Sequence, residues 1–417
     1  MIHPVVRAAR LPSIPAASTK IAATCVLALA AFSAQAQYKW EFAGNTLQIG
    51  GRLNLTVDHT DLSGVDSTNN PGLATNDNRV FGANASRLNF TMQRAFGEYR
   101  AEIFLDSSLN PTAGSGTLAG RENWLGVTGP FGQFRAGRVD TPVKQMGGYT
   151  DVFYATGIAD NGQIEMMGGE DQLTGFTRRQ QKSLRYDTPA LNNFNFAFQY
   201  GLPNAAGADA TDAPAGDGRK GTVMSTALTY ANGPLSAGFG YEVHNSVRYI
   251  DNNTGLKDSG WRLGAKYVFD GIGDIGFGAN EFTYEGPNGS TVVRPFQEVT
   301  GNYYVGKGKV VLRYAQAGTV SGSAPDGTVV CGAAAAATFA ANSCTGAITL
   351  VKGADSGSRQ VVFGYDYAVD KQTSLYGYWT SIQNDKNANY NYGTNGYGNL
   401  KGGNDLQGIS VGAIYIF

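Results

Sequence analysis

The chain has 417 residues, a formal net charge of −1 and a mean hydropathy of −0.22. Only 16% of its residues are charged, while Gly (57), Tyr (22) and Phe (21) are abundant. The charge balance excludes a basic nucleic-acid-binding surface, and no apolar run reaches the ~20 residues of a membrane-spanning helix. So few charges are unusual for a soluble surface of this size. Many aromatic strands joined by glycine turns, each apolar on one face only, suit a transmembrane barrel. A soluble sandwich or propeller is the alternative with similar composition.

The chain opens with Arg7, Arg10 and Lys20, an apolar run from Ile21 to Phe32, and Ala34-Gln35-Ala36. This order predicts a secretory signal peptide over residues 1–36, cleaved after Ala36. No acidic residue lies there, so the mature chain, 37–417, keeps all 33 acidic residues and loses three of 32 basic ones, for a net charge of −4.

Residues 47–58 alternate strictly. Leu47, Ile49, Leu53, Leu55 and Val57 are apolar, whereas Gln48, Arg52, Asn54, Thr56 and Asp58 are polar. Period two over about twelve residues exceeds a typical globular strand and matches a bilayer-crossing one. The pattern returns over 87–93 and 98–106, and it puts Arg52, Arg87 and Arg100 on the polar face. Strands are predicted near 45–58, 85–94, 97–106, 121–129, 132–139, 181–188, 193–201, 221–231, 234–246, 259–269, 274–285, 293–306, 309–317, 358–369, 372–383 and 405–417. Short turns such as Pro130-Phe131-Gly132 and Asn232-Gly233-Pro234 alternate with mostly long connections, including 59–84, 140–180, 202–220, 318–357 and 384–404. That alternation places short turns on one rim and long loops on the other, which fits a barrel of hairpins better than Greek keys.

The connection 140–180 is too long for a simple link. Its Tyr149, Val152, Phe153, Tyr154, Ile158 and Ile164 give it the means to pack, and Asp151, Asp160, Glu165, Glu170 and Asp171 give it charge. It is predicted to fold into the barrel and narrow the lumen. Farther on, Cys331 and Cys344 share one loop with no histidine nearby, so an oxidising compartment predicts a disulfide rather than a metal site.

Three enzyme-like motifs fail on context. Gly271-Ile272-Gly273-Asp274-Ile275-Gly276 is followed by a strand, where a dinucleotide site needs a helix. Gly308 stands where a P-loop spanning 301–307 needs Ser or Thr. Gly408-Ile409-Ser410-Val411-Gly412 runs straight on as strand, without the turn into a helix that a nucleophile elbow requires. No cofactor or metal is predicted.

Several pieces together resemble the general porins of Gram-negative outer membranes, especially the β-proteobacterial branch. They are Ser86-Arg87-Leu88 with Phe90, Phe131-Gly132 with Gly137-Arg138 before the long loop, Arg185-Tyr186-Asp187-Thr188-Pro189 after it, and the alternating Ile409, Val411, Ala413, Tyr415 and terminal Phe417. The resemblance implies a sixteen-stranded antiparallel barrel in outer-membrane lipid, usually a homotrimer, through which ions and small hydrophilic solutes diffuse passively. It implies an inward third loop, a basic wall that includes Arg87, Arg138 and Arg185, and a C-terminal Phe417 read by the barrel-assembly machinery. Arg52 and Arg100 join the wall by parity alone. Simple alternation would turn Arg138 outward, so a bulge at Gly137 is expected. Asp151 is the expected acid opposite the wall, in Asp151-Val152-Phe153 where the family often carries a proline motif, with Asp160 and Glu165 as further candidates. Ile414 and Ile416 are more apolar than the family pattern. The rival reading is an outer-membrane barrel enzyme of lipase or protease type, or a substrate-selective channel.

Overall fold

The alternation of β1 (Asn45–Ser63) sets the wall. In the computed structural model Leu53, Leu55 and Val57 are 37–56% exposed, while Arg52, Asn54, Thr56, Asp58 and Thr60 between them are buried. The fold is thus polar within and apolar without, as lipid requires of a spanning strand. The structure describes residues 38–63, 77–154, 156–160, 175–202, 221–249, 255–331, 349–397 and 400–417.

Sixteen antiparallel strands close on themselves. They are β1; β2, in two segments (Asp77–Gly82 and Arg87–Phe96); β3 (Tyr99–Asn110); β4, also in two (Ser115–Thr117 and Asn123–Gly129); β5 (Gly132–Asp140); β6 (Arg179–Asp187); β7 (Phe194–Gly201); β8 (Thr222–Asn232); β9 (Leu235–Tyr249); β10 (Gly255–Phe269); β11 (Gly273–Glu285); β12 (Thr291–Val305); β13 (Gly308–Ala317); β14 (Ser358–Ala368); β15 (Thr373–Asn384); and β16 (Asp405–Ile416). Each predicted strand has its counterpart. The register from Arg52↔Ile416 to Ser63↔Asp405 joins β16 to β1 and leaves no open edge. A further segment, Tyr38–Phe42, turns back on the start of β1 and continues the line of β16.

At the closure Phe417 exchanges backbone hydrogen bonds with Gly51, at 2.7 and 3.1 Å. Its ring lies where a Gly51 Cβ would be, 2.5 Å from the ring edge. Tyr415 stacks on it at 5.9 Å. Along the short-turn rim Phe96, Tyr99, Phe131, Phe134 and Tyr186 form a chain of ring contacts at 4.6–6.0 Å. Such a girdle sits where acyl chains meet headgroups.

The apolar cores lie inside the barrel and are made largely by loops. The last long loop carries Tyr390, Tyr392 and Tyr397, all buried. Asn395 Nδ2 donates to Asp58 Oδ2 at 2.6 Å, and the Tyr397 hydroxyl donates to the Thr60 carbonyl at 2.7 Å. Tyr390 lies against the buried Arg294 on β12, ring centroid to guanidinium 5.4 Å. The long-loop half of the lumen is therefore packed by its own connections.

Candidate functional site

The connection after β5 does fold inward. Thr141 caps a short helix, α1 (Pro142–Gln145), accepting from the Lys144 amide, and Pro142 suits the first helical position. A 3-10 turn, Met146–Tyr149, continues it. This helical stretch lies on the inner faces of β8–β11, where the wall has been cleared of side chains. Gly238, Gly264 and Gly278 occupy one register row across β9, β10 and β11. A Cβ at Gly264 would stand 2.5 Å from the Met146 carbonyl and the Tyr149 ring, and one at Gly238 2.6 Å from Met146 Sδ. The Tyr149 hydroxyl donates to the Ala237 carbonyl at 3.0 Å. Thr150 Oγ1 donates to Glu298 Oε1 on β12 at 2.5 Å, and Glu298 Oε2 receives Arg313 Nε from β13 at 2.7 Å.

Beyond Thr150 the loop follows the wall past β13–β16. Val152, Phe153 and Ala159 are buried with Val311, Val362, Tyr376 and Tyr378, and Ile414 packs against them. Phe153 meets Tyr378 edge-on at 5.0 Å. Gly157, at φ +63°, approaches Asp58 and Ser410 with no space for a side chain. These anchors carry Tyr154 to the opposite side. Arg52 Nη2 donates to its carbonyl at 2.9 Å. Its hydroxyl oxygen accepts from Arg87 Nη1 at 2.7 Å and from Arg121 Nη2 at 3.0 Å. Arg52 and Arg87 also stand 5.1 and 5.4 Å from its ring centre. Arg121 pairs with Asp106 at 2.9 Å. Three guanidiniums thus converge on one neutral phenol, a cation–π and hydrogen-bond cluster on an otherwise polar wall.

Residues 22–387 match the family model described as Gram-negative porin. The chain belongs to the Gram-negative porin family. Outer membrane porin protein 32 of Delftia acidovorans is 24% identical over 347 residues, covering 81% of this chain and 86% of that protein. The anion-selective porin from Comamonas acidovorans has a similar fold, with TM-score 0.66 and 21% identity over 89% of this chain and all of that one. OmpT of Vibrio cholerae, in a structure described as its trimer form, follows at TM-score 0.59 and 16% identity over 90% and 100%. The chain is an outer-membrane porin, integral to that membrane, with the barrel of a channel.

In this porin the predicted site residues do not form one cluster. Arg52 and Arg87 come together at Tyr154. Arg185 is buried elsewhere, at the root of the loop. It donates to the Asp140 carbonyl and to Gln145 Oε1, both at 2.6 Å, and pairs with Asp187 at 2.7 Å. Its register row runs through Arg135, Gly126 and Glu102 to Gln93. Gln93 is six residues from Arg87, about 20 Å along the strand. Arg100 lies opposite Ala95 and near Glu102 at 3.4 Å. It is eight residues from Ser108, the partner of Arg87, hence about 26 Å nearer the short-turn rim. Arg138 is half-buried opposite Asn123. The irregularity expected at Gly137 falls on the neighbouring strand. Gly137 pairs with Ser183 and Val139 with Gln180, so the extra residue belongs to β6, where Lys182 takes φ +48°.

The acid expected opposite the arginines is also displaced. Asp151 turns toward β10–β13, where Glu298, Arg313 and Lys266 act on it. Burial first, then Asp160 and Glu298, push its carboxyl up to about 7. Asp160 is within electrostatic reach of both Arg52 and Asp151. Glu165 and Cys344 lie outside the described residues, as does the signal segment 1–36. Cys331 ends a short ribbon, Val329–Cys331 paired with Thr349–Val351.

Tyr154 and Arg121 escaped the sequence reading. Tyr154 was visible only as an aromatic next to Phe153. Arg121 sits in the interruption of β4, where strand parity has no meaning. The glycine row did leave a signal: Gly238, Gly240, Gly276 and Gly278 fall on inward positions two apart.

Proposed function

We propose that this porin is a general-diffusion channel for ions and small hydrophilic solutes that favours small anions. Its narrowest section is formed by the inner loop and the wall of β1, β2 and β4. The arrangement around Tyr154 carries the reading. Arg52, Arg87 and Arg121 converge on the Tyr154 phenol, which carries no carboxylate charge, while Asp106 pairs with Arg121 and Asp160 and Asp366 act on Arg52 from farther off. Guanidiniums gathered at the lumen beside a low-dielectric loop favour anions, and the polar lining replaces part of their hydration. Arg185 and Arg138 extend the basic side toward the loop root, while the loop's acidic groups are Asp160 and, turned toward β10–β13, Asp151, with Glu165 expected on the same loop; Arg100, held near the rim with Glu102, belongs to the entrance. The anion-selective porin from Comamonas acidovorans lends weight to the sign. By analogy with the trimer form of the Vibrio OmpT, the porin is proposed to assemble as a homotrimer, inserted with Phe417 as the mark for the assembly machinery.

The test is the reversal potential of purified protein in a KCl gradient. The native channel should give an anion-favouring potential, and Arg52→Gln with Arg87→Gln should move it toward zero or reverse it. An unchanged potential would remove these arginines from the constriction. The enzyme reading gains nothing from the buried His244, whose Nε2 lies 2.7 Å from Glu242 and whose ring stacks on Phe176 at 4.4 Å.

A further inference from the structure

We propose a second solute site, separate from the Tyr154 cluster: a lateral recess under the root of the inner loop that takes a small organic monocarboxylate with a compact apolar body. The recess has a volume of about 360 Å³, at the lower end of small-molecule sites. It exists because the wall is hollow there. Ala197 on β7 and Ala227 on β8 face each other in register and both point inward. Elsewhere on these strands inward positions carry larger groups, such as Gln199 opposite Ser225. The loop roofs the hollow with Met146 and Tyr149, and Thr229 and Ala231 continue the lining toward the short-turn rim.

Charge selects the solute's head. Arg135 and Arg185, neighbours in register, share the single carboxylate of Asp187, at 2.6 and 2.7 Å. Behind them Asp140 holds Lys144 at 3.0 Å and Arg179 at 3.3 Å, and Glu122 accepts from the Asp140 amide at 3.0 Å. Among the described residues that line the recess, two cations therefore face one acid, an excess of one positive charge even with that acid ionised. Arg135 Nε has no hydrogen-bond partner among the described residues, and its guanidinium also lies over Trp124 at 5.4 Å. One extra anionic charge would balance the group. A dianion would overshoot it and would lose more hydration on entry.

The remaining surface selects the body. Ala197, Ala227, Met146 and Tyr149 offer an apolar floor and roof, and Met146 sulfur suits an aromatic ring. Asn193, Asn195 and Thr229 line the mouth and can complete the carboxylate's hydrogen bonds. Benzoate has the required charge, size and ring. An aliphatic carboxylate of similar bulk has the same chemistry.

Planar-bilayer recordings of the purified porin test this, with benzoate added to KCl. The native channel should show brief current interruptions whose frequency rises with benzoate. Ala227→Leu fills the recess without altering charge and should cut that frequency about tenfold or more by steric exclusion. Ala197→Leu fills it from the neighbouring strand and serves if A227L does not fold, which heat-modifiable migration on gels reveals. Arg135→Gln should shorten each interruption. Interruptions equally frequent in native and filled channels would overturn the proposal. So would their absence from the native channel, or glucose interrupting the current as often as benzoate.

Discussion

At Tyr154 and Asp151 the loop offers two different polar groups to two different environments. Tyr154 spends both lone pairs of its hydroxyl on Arg87 and Arg121, so its neutral oxygen is held by charged donors. Asp151 is a carboxyl in a dry place, with Asp160 and Glu298 repelling its charge and Arg313 and Lys266 favouring it. Its folded pKa of about 7 lies above the ordinary 3.8. The folded protein thus binds this proton more tightly than the unfolded chain does. The contribution to stability is full below the ordinary value and is lost as pH rises through about 7. Protonation also removes a negative charge from the loop. Anion preference should therefore be stronger at about pH 5 than at about pH 9, and Asp151→Asn should flatten that difference. Reversal potentials at both pH values check it; an equally steep dependence in D151N would assign the titration to another group.

At the scale of elements, the loop is held by a wall shaped to receive it. Gly238 and Gly264 let the 3-10 turn approach the backbone of β9 and β10, where a Cβ would stand 2.5–2.6 Å from Met146 or Tyr149. Gly264→Val should displace this turn while leaving the strand pairing intact. The expected result is a higher single-channel conductance and a loss of about 1–3 kcal/mol of stability from overpacking. Conductance histograms and thermal unfolding in detergent measure the two effects. The second element is the outer loop bearing Cys331 and Cys344. Export to an oxidising compartment should join them, closing a short loop and stabilising it by constraining the unfolded chain. Intact mass after alkylation, with and without reductant, decides it: two alkylated thiols in the unreduced protein would dismiss the bridge.

For the whole molecule, closure is the step on which everything else depends. β16 pairs with β1 along twelve positions, and Phe417 completes the seam through Gly51. Removing Phe417 deletes two backbone hydrogen bonds and the ring that covers Gly51, next to the only closing edge of the barrel. Deletion of Phe417 should lower the folded, heat-modifiable protein in outer-membrane fractions several-fold. Native levels of the deletion variant would show that closure does not need it. Ile414 illustrates the same coupling. It departs from the polar lining expected of β16 because it packs against the apolar cluster that Val152 and Phe153 of the inner loop form with the wall.

The wall was readable because lipid imposes a period of two on every strand, and a mid-strand arginine such as Arg87 must face inward or cost about 2–4 kcal/mol on the lipid side. The alternation of short and long connections placed the two rims, and the family resemblance marked Phe417 as the end of the closing strand. The period of two could not place Tyr154 among Arg52, Arg87 and Arg121, because those residues belong to β1, β2, an interrupted β4 and a loop whose path is set by contacts with strands far away in sequence. It could not turn Asp151 away from the arginines or separate Arg185 from Arg87, since both depend on how far each residue stands along the barrel axis. Nor could it hollow a recess at Ala197 and Ala227, because two alanines become a cavity only when neighbouring strands bring them into register and a loop roofs them. The sequence alone determined a closed barrel with an inward loop and a charged lumen. Where those charges meet was decided by register and by the glycine-lined path of the loop, which exist only once the barrel has closed.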